Sequence, residues 1–383
     1  MSITINSKLP TVGTTIFTVI GALANRHQAI NLGQGFPDFS APQALLERVD
    51  YHVRQGHNQY APMGGVASLR EAIAAKVEQS YGRAVSAEQE VTVTPGATEA
   101  LYCAITACVR PGDEVIVFDP AYDSYEPAIE LSGGRAVHLP LLPPDFAIDW
   151  QRVRDAINPR TRMIILNSPH NPTGATLSAA DLDSLAELVR ESDILLLSDE
   201  VYEHLVYDGK THQSLLQHDE LAARAFVVFS FGKTYHVTGW KTGYCIAPAP
   251  LTAELRKVHQ YVTFVAVTPI QLALADFMTS CPEHHQQLAA FYQHKRDLFC
   301  EQMAPSRFQF SPTQGTFFQL MDYSEISDQD DLSMAEWLTR ERGVAAIPVS
   351  VFYKEPTTVR YVRFCFAKED ETLTQAAELL CKI

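Results

Sequence analysis

The sequence predicts an α/β protein: a large domain with a mostly parallel sheet sandwiched by helices, and a smaller α+β domain beside it. Three observations predict this. Short apolar or β-branched runs alternate with helical patterns from about residue 91 to 247, and such alternation builds a parallel sheet with helices on both faces. After about residue 275 the alternation gives way to one long helical stretch and a different mixture of strands and helices. The chain has 383 residues, enough for one large domain and one smaller one. The expected division is 41–275 for the large domain, with 1–40 and 276–383 forming the small one.

Taken in order, residues 1–40 read as loop with one helical pattern near 16–24, ending in the glycine-rich Asn31-Leu32-Gly33-Gln34-Gly35-Phe36-Pro37-Asp38. Helices are expected at 42–55 and 68–81, separated by Asn58-Gln59-Tyr60. Val91-Thr92-Val93-Thr94 is a strand, and Pro95-Gly96-Ala97-Thr98 turns it sharply into a helix. Further strands are expected at 114–118, 135–139, 163–167, 194–198, 225–230 and 243–247. The second unit should begin with a helix at 283–303. Strands at 307–310, 315–322, 344–348 and 358–366 follow, with helices near 332–342 and 369–382.

Composition narrows the function. Hydrophobic residues make up 46% and charged residues 20%, the profile of a folded soluble enzyme. A net charge of −15 without a basic patch argues against a nucleic-acid surface. The seven cysteines form no C-x-x-C pair, and their odd number argues against a disulfide framework, so a reducing cytoplasm is expected. The N-terminus lacks a signal-peptide pattern, and no apolar run reaches the ~18 residues of a membrane span. The thirteen histidines show no metal-ligand spacing, and His284-His285 read as a solvated helix face.

The chemistry concentrates at strand ends, where ligands gather in open α/β sheets. Lys233 follows the strand at 225–230 among small residues, in Ser230-Phe231-Gly232-Lys233-Thr234. A buried lysine with a lowered pKa can form a Schiff base with an aldehyde. Ser230 and Lys241 flank it with a hydroxyl and a second cation, which suit a phosphate. An aldehyde and a phosphate on one ligand point to pyridoxal phosphate. Gly96, Ala97 and Thr98 open a helix whose N-terminus suits the same phosphate. Asp199 closes the apolar run 194–198, and a carboxylate there needs a partner, which a pyridine nitrogen would supply. Tyr202 and Asn171 could reach a phenolic oxygen, and Tyr122 offers a ring face for stacking. Arg363, inside an apolar strand, matches a carboxylate with its fork. Each residue also has an ordinary alternative: Asp199 as a helix cap, Asn171 as a turn residue, Tyr122 as core.

Jointly, and in this order, these motifs resemble the class I/II aminotransferases of pyridoxal-phosphate fold type I. They are most like the kynurenine aminotransferase/glutamine transaminase K group and the bacterial methionine aminotransferases. The resemblance runs from Asn31 through Asn171-Pro172, Ser198-Asp199-Glu200-Val201-Tyr202 and Ser230–Gly243 to Arg363-Phe364-Cys365-Phe366. It implies an aspartate-aminotransferase-like fold, with Lys233, Asp199 and Tyr202 catalytic and Lys233 bound to the cofactor. It further implies that Ala97, Thr98, Ser230 and Lys241 hold the phosphate, and that Tyr60 reaches the phosphate of a neighbouring subunit in a homodimer with shared sites. Arg363, Asn171 and the Gly35 backbone would bind the substrate α-carboxylate. Phe17 and Tyr122, with Tyr60 and Phe264 from across the dimer, would line the side-chain pocket. Two positions depart from the family: most members have arginine where Lys241 stands, although the kynurenine group shares the lysine. His236 fills a position usually small, and nothing in the sequence accounts for it.

The implied activity is transfer of an amino group from methionine or another large uncharged or aromatic amino acid to a 2-oxo acid, by a ping-pong route. A carbon–sulfur β-lyase on the same fold is the alternative. An aminotransferase-like transcription regulator would need a separate basic DNA-binding domain, and the α/β pattern begins too early to leave room for one.

Overall fold

The computed structural model describes residues 5–383; residues 1–4 of the expected N-terminal segment lie outside the described part. In chain order the strands are β1 (Ile30–Asn31), β2 (Val91–Thr94), β3 (Glu114–Asp119), β4 (Arg135–Pro140), β5 (Thr161–Asn167) and β6 (Leu195–Asp199). They continue with β7 (Ala225–Ser230), β8 (Gly243–Ile246), β9 (Phe318–Asp322), β10 (Val344–Ala345), β11 (Ile347–Pro348) and β12 (Tyr361–Cys365). A seven-stranded sheet runs in the order β2-β8-β7-β6-β5-β3-β4. Its pairs β4–β3–β5–β6–β7 are parallel, whereas β8 lies antiparallel to both β7 and β2.

The reversed strand has a local cause. A parallel return needs a crossover that carries the chain back to the far end of the sheet. Between β7 and β8 the chain makes one short helical turn, Phe231–Thr234, and a 3-10 turn, Thr238–Trp240, then comes back beside its own exit, with Ser230 opposite Gly243. The stretch carrying Lys233 is therefore a broad hairpin loop held at the C-terminal edge of β7.

Alternate side chains of the strands feed two cores. Ile116, Phe118, Ile164, Leu166, Leu196, Val227 and Phe229 enter one. Val115, Val117, Met163, Ile165, Leu197, Phe226 and Val228 enter the other, against the helix Ala97–Cys108. Strands apolar on both faces are what a sheet covered on both sides requires. A third core gathers β9 and β12 with the helices Glu283–Met303, Asp331–Glu341 and Asp370–Leu380. The N-terminal segment joins this part of the molecule: β1 pairs with β10, and the helix Ile16–His27 shares a fourth core with Ala335 and Ile347.

The expected strands beyond residue 300 are shorter than the sequence suggested. The segment 307–310 makes one bridge, Gln309 with Asp322, because Asp322 is the last residue of β9 and the chain runs off its end. The strand expected at 315–322 starts at Phe318, since Thr316 adopts a left-handed φ of 65° that no strand residue holds. The segment 344–348 breaks at Ala346 into β10 and β11, which belong to different sheets. The strand expected at 358–366 covers Tyr361–Cys365. The helices Ala249–Val262 and Thr268–Ser280 were not foreseen. His284 and His285, expected in water, are half-buried, with the His284 ring against Tyr235 and its Nε2 3.1 Å from the Thr234 carbonyl. His236 has a left-handed φ of 59°, its Nδ1 lies 3.0 Å from the Tyr292 hydroxyl, and its ring packs edge-on against Phe39.

A buried ionic cluster ties the turn after β6 to the neighbouring helix Ala67–Tyr81. Glu203 meets the Lys76 ammonium and the Tyr81 hydroxyl, with Tyr244 and His204 around it. Burial alone would raise the Glu203 carboxyl; Lys76, His204 and the Tyr81 donor outweigh it and hold the group at about 2. Removing one partner of such a pair strands a buried charge. Glu203→Gln is therefore expected to cost about 3–5 kcal/mol in denaturant unfolding, whereas Lys76→Met with Glu203→Leu should cost much less.

Candidate active site

The C-terminal edges of the parallel strands, the hairpin loop and the strand carrying Arg363 enclose a cavity of about 230 Å³. Its lining includes Phe17, Gly35, Ala97, Thr98, Tyr122, Asn171, Asp199, Tyr202, Ser230, Lys233, Lys241 and Arg363. These candidates come from eight separate stretches of sequence, and the fold brings them to one place. Tyr60 and Phe264 do not line this cavity. They lie together on the surface, rings edge to face at 5.5 Å, with Tyr60 84% exposed.

One wall is built to take an anion. β2 ends in a turn at Gly96, whose φ of 81° suits glycine. The helix Ala97–Cys108 then begins with no side chain capping it, so its first N–H groups face the cavity without intrahelical partners. A Cβ on Gly96 would sit 3.5 Å from Lys241 Nζ, so the lysine amine lies directly over this turn. Ser230 closes the wall from the end of β7.

Asp199 stands at the end of β6 and is 4% exposed. The Tyr125 hydroxyl donates to its Oδ2 at 2.7 Å, and the Val201 N–H makes a long 3.4 Å contact to Oδ1. Burial raises its pKa to about 6, against the lowering effect of Tyr125 and of the Lys233 charge. A buried carboxylate of this kind, facing a cavity, favours a cationic partner. Asn167, at the end of β5, fixes two neighbours at once: its amide donates to the Asp199 carbonyl at 2.9 Å, and its oxygen accepts from the Asn171 N–H at 2.8 Å.

Lys233 donates to the Gly35 carbonyl at 3.1 Å and lies 5.1 Å from the Phe317 ring centroid. Desolvation, reinforced by the charges of Arg363 and Lys241, brings its pKa down to about 8. An appreciable fraction is then a neutral amine near neutrality, as a nucleophile and proton acceptor requires. Tyr202 is buried with its ring against Phe317, and burial holds its phenol well above the usual value.

Arg363 is 1% exposed and makes no carboxylate ion pair among the described residues. Its Nη1 donates to Asn171 Oδ1 at 2.8 Å and its Nη2 to the Gly33 carbonyl at 2.9 Å, while Nε has no partner among the described residues. The guanidinium rests on Phe318 at 3.9 Å and near Phe17 at 5.3 Å. Burial lowers its pKa to about 10. A buried guanidinium held by neutral acceptors matches a carboxylate with its fork.

Sequence reasoning missed Tyr125, Asn167, Phe317 and Phe318. Asn167 closes a strand as Asp199 does and could have been found by that rule. A group of Glu99, Cys103 and His259 also lies close, but it is joined by its own hydrogen bonds, with Glu99 Oε1 2.8 Å from His259 Nδ1 and 3.0 Å from Cys103 Sγ.

The residues present fit pyridoxal phosphate: an uncapped helix start beneath a lysine for the phosphate, an unpaired carboxylate for the ring nitrogen, and a lysine of lowered pKa for the aldehyde. A fold and site of this kind define a pyridoxal-phosphate-dependent aminotransferase. Residues 27–380 match the model of aminotransferase class I and II, and the chain belongs to that family. The methionine aminotransferase of Escherichia coli K12 is 55% identical over 98% of this chain and 97% of its own length. Human kynurenine–oxoglutarate transaminase 1 is 31% identical over 94% and 93%. The crystal structure of Escherichia coli YbdL, described as a methionine aminotransferase, superposes with a TM-score of 0.98 at 54% identity over 100% of both chains. An aspartate aminotransferase variant from Thermus thermophilus reaches 0.91 at 32% identity, also over 100% of both. The protein is thus an enzyme of the transaminase class, with amino acids and 2-oxo acids as substrates and pyridoxal phosphate as its cofactor. The β-lyase alternative gains no support from these relatives. Among the described residues no helix is long and apolar enough to cross a membrane.

Proposed function

We propose that this enzyme moves the amino group of methionine, and of other large uncharged or aromatic amino acids, to a 2-oxo acid. One observation carries the reading. Arg363 is the buried cation left for an α-carboxylate, and the other cations lining the same cavity, Lys233 and Lys241, are engaged with the cofactor in this assignment. The ring faces nearby, Phe17 and Phe318, offer carbon rather than charge to a side chain. The naming of the 55% identical relative as a methionine aminotransferase supports it.

Pyridoxal phosphate, when bound, supplies an aldehyde for covalent attachment and a ring that accepts the electron pair released from the substrate's Cα–H bond. The protein's residues do the rest. Gly96, Ala97 and Thr98 present N–H groups, and with Ser230 and Lys241 they would hold the phosphate. Asp199 would set a negative charge against the ring nitrogen. Tyr202 and Asn171 would serve the phenolic oxygen, and Tyr122 would take the ring face. Arg363, oriented by Asn171 and Gly33, fixes the α-carboxylate so that Cα lies within reach of Lys233. The neutral amine of Lys233 then takes the Cα proton and returns it, and its lowered pKa suits both steps.

The reading extends to assembly. Tyr60 and Phe264, exposed and packed ring against ring, support a homodimer in which these residues complete the neighbouring site. The core around β9 and β12 supports a small domain of 1–40 with 276–383 beside a large one of 41–275, although Tyr202, Leu205 and Tyr207 enter that core, Leu320 and Val349 enter the sheet core, and the helix at the junction runs on to Ser280. The seven free cysteines support a cytoplasmic location.

The deciding measurement is kcat/KM for methionine, phenylalanine, glutamine and aspartate with one fixed oxo acid. Methionine and phenylalanine are expected to exceed aspartate by roughly 100-fold or more, since a second carboxylate would be buried without a partner. The uncharged donors should differ among themselves by only about 10-fold, because an apolar pocket separates similar side chains weakly. Aspartate ahead of methionine would overturn the pocket assignment.

A further inference from the structure

Asp199 is held from behind by a residue that does not itself line the cavity. Tyr125 opens the helix Tyr125–Leu131, is 4% exposed, and packs its ring edge to face with Tyr122 at 5.7 Å. Its hydroxyl makes the single short contact to the Asp199 side chain among the described residues, 2.7 Å to Oδ2. The remaining oxygen, Oδ1, has the long 3.4 Å contact with the Val201 N–H.

We propose that Tyr125 is a positioning residue for Asp199: its proton fixes one carboxylate oxygen, stabilises the anion, and leaves the other oxygen to serve the cofactor's ring nitrogen. The inference rests on the assignment of Asp199 given above. The choice of a phenol has a physical logic. A lysine or arginine in this place would form a full ion pair and compete with the ring nitrogen for the carboxylate charge. A neutral donor holds the carboxylate without neutralising it. Burial keeps the Tyr125 phenol protonated far above neutrality, so it remains a donor throughout the working range. The other titratable groups around the carboxylate are Lys233, Glu200, Tyr122 and Tyr202.

The test uses the holoenzyme and four forms: wild type, Tyr125→Phe, Asp199→Asn and the double variant. Two readouts are taken at saturating pyridoxal phosphate: kcat and KM for methionine, and the pH midpoint of the bound cofactor's visible absorbance. In Tyr125→Phe, kcat should fall by roughly 10-fold, the loss of one hydrogen bond to a charged group, with KM within about twofold. A less firmly ionised Asp199 leaves less positive charge on the ring, so the cofactor's other proton is held more tightly and the midpoint should rise. Asp199→Asn should raise it further. Adding Tyr125→Phe to Asp199→Asn should then change kcat by less than about twofold, because the charge through which Tyr125 acts is already gone. An unmoved midpoint in Tyr125→Phe, or independent effects in the double variant, would overturn the positioning role while Asp199 kept its own. An unmoved midpoint in Asp199→Asn would instead remove the assignment of Asp199, and the inference with it.

Discussion

Lys233→Ala is expected to abolish the covalent, borohydride-trappable link to pyridoxal phosphate and to lower turnover by at least roughly 10⁴-fold, the upper range for a positioned acid–base group. The expectation follows from where the hairpin loop puts this amine. It sits at the end of β7, lowered to a pKa of about 8 by burial and by Arg363 and Lys241, with the Gly35 carbonyl as its one hydrogen-bond partner among the described residues. The phosphate wall does not depend on it, so the variant should still retain cofactor through Gly96, Ala97, Thr98, Ser230 and Lys241. The measurement is mass mapping of the borohydride-reduced protein. Wild type should carry the label on the peptide containing Lys233, and the variant on none. A label on another lysine in the variant would remove the central assignment.

The parts of this site that could be read from sequence are those whose chemistry conflicts with their surroundings. Asp199 after five apolar or small residues, Arg363 between Val362 and Phe364, and Lys233 among small residues are each out of place unless a partner exists. The geometry of the parallel sheet then places strand ends together, so Asn171, Asp199 and Lys233 converge without any long-range information. Tyr125 carried no such conflict: a tyrosine at the start of a buried helix is ordinary, and its contact with Asp199 spans 74 positions. Phe317 and Phe318, which floor the site beneath Lys233 and Arg363, read as core in sequence and are core as well. Backbone detail was equally hidden. Gly35, expected to serve a substrate through its backbone, lines the cavity with its carbonyl accepting from Lys233, and the carbonyl that meets Arg363 is that of Gly33. A Cβ on Gly35 would come within 2.7 Å of Phe318, so the residue also makes room for β9 to approach. His236, without explanation in the sequence, takes a left-handed turn after the lysine loop and is held by Tyr292, a partner 56 positions away.

Asp199→Asn is expected to keep the shape of the site and remove its main electrostatic contribution. The side chain lies at the end of a strand buried on both faces, 4% exposed, with a neutral donor behind it and, among the described residues, no arginine or lysine paired to it. Without a cationic partner, burial raises its pKa to about 6, so the carboxylate is costly to keep charged until something in the cavity compensates it. On the proposed assignment a protonated ring nitrogen would supply that compensation, and each group would hold the other ionised. An asparagine can accept a hydrogen bond in the same place but carries no charge to hold the proton on the ring. Loss of a buried, preorganised electrostatic contact of this kind costs about 3–4 kcal/mol at the transition state, so kcat for methionine should fall by on the order of 10³-fold. KM should move far less, because Arg363, the proposed partner of the α-carboxylate, is untouched. Cofactor content and unfolding temperature, measured beside kcat, separate this loss from a folding defect. Near-normal turnover in a variant that holds its cofactor would make Asp199 a structural residue and return the search for the ring's partner to the other polar groups of the cavity.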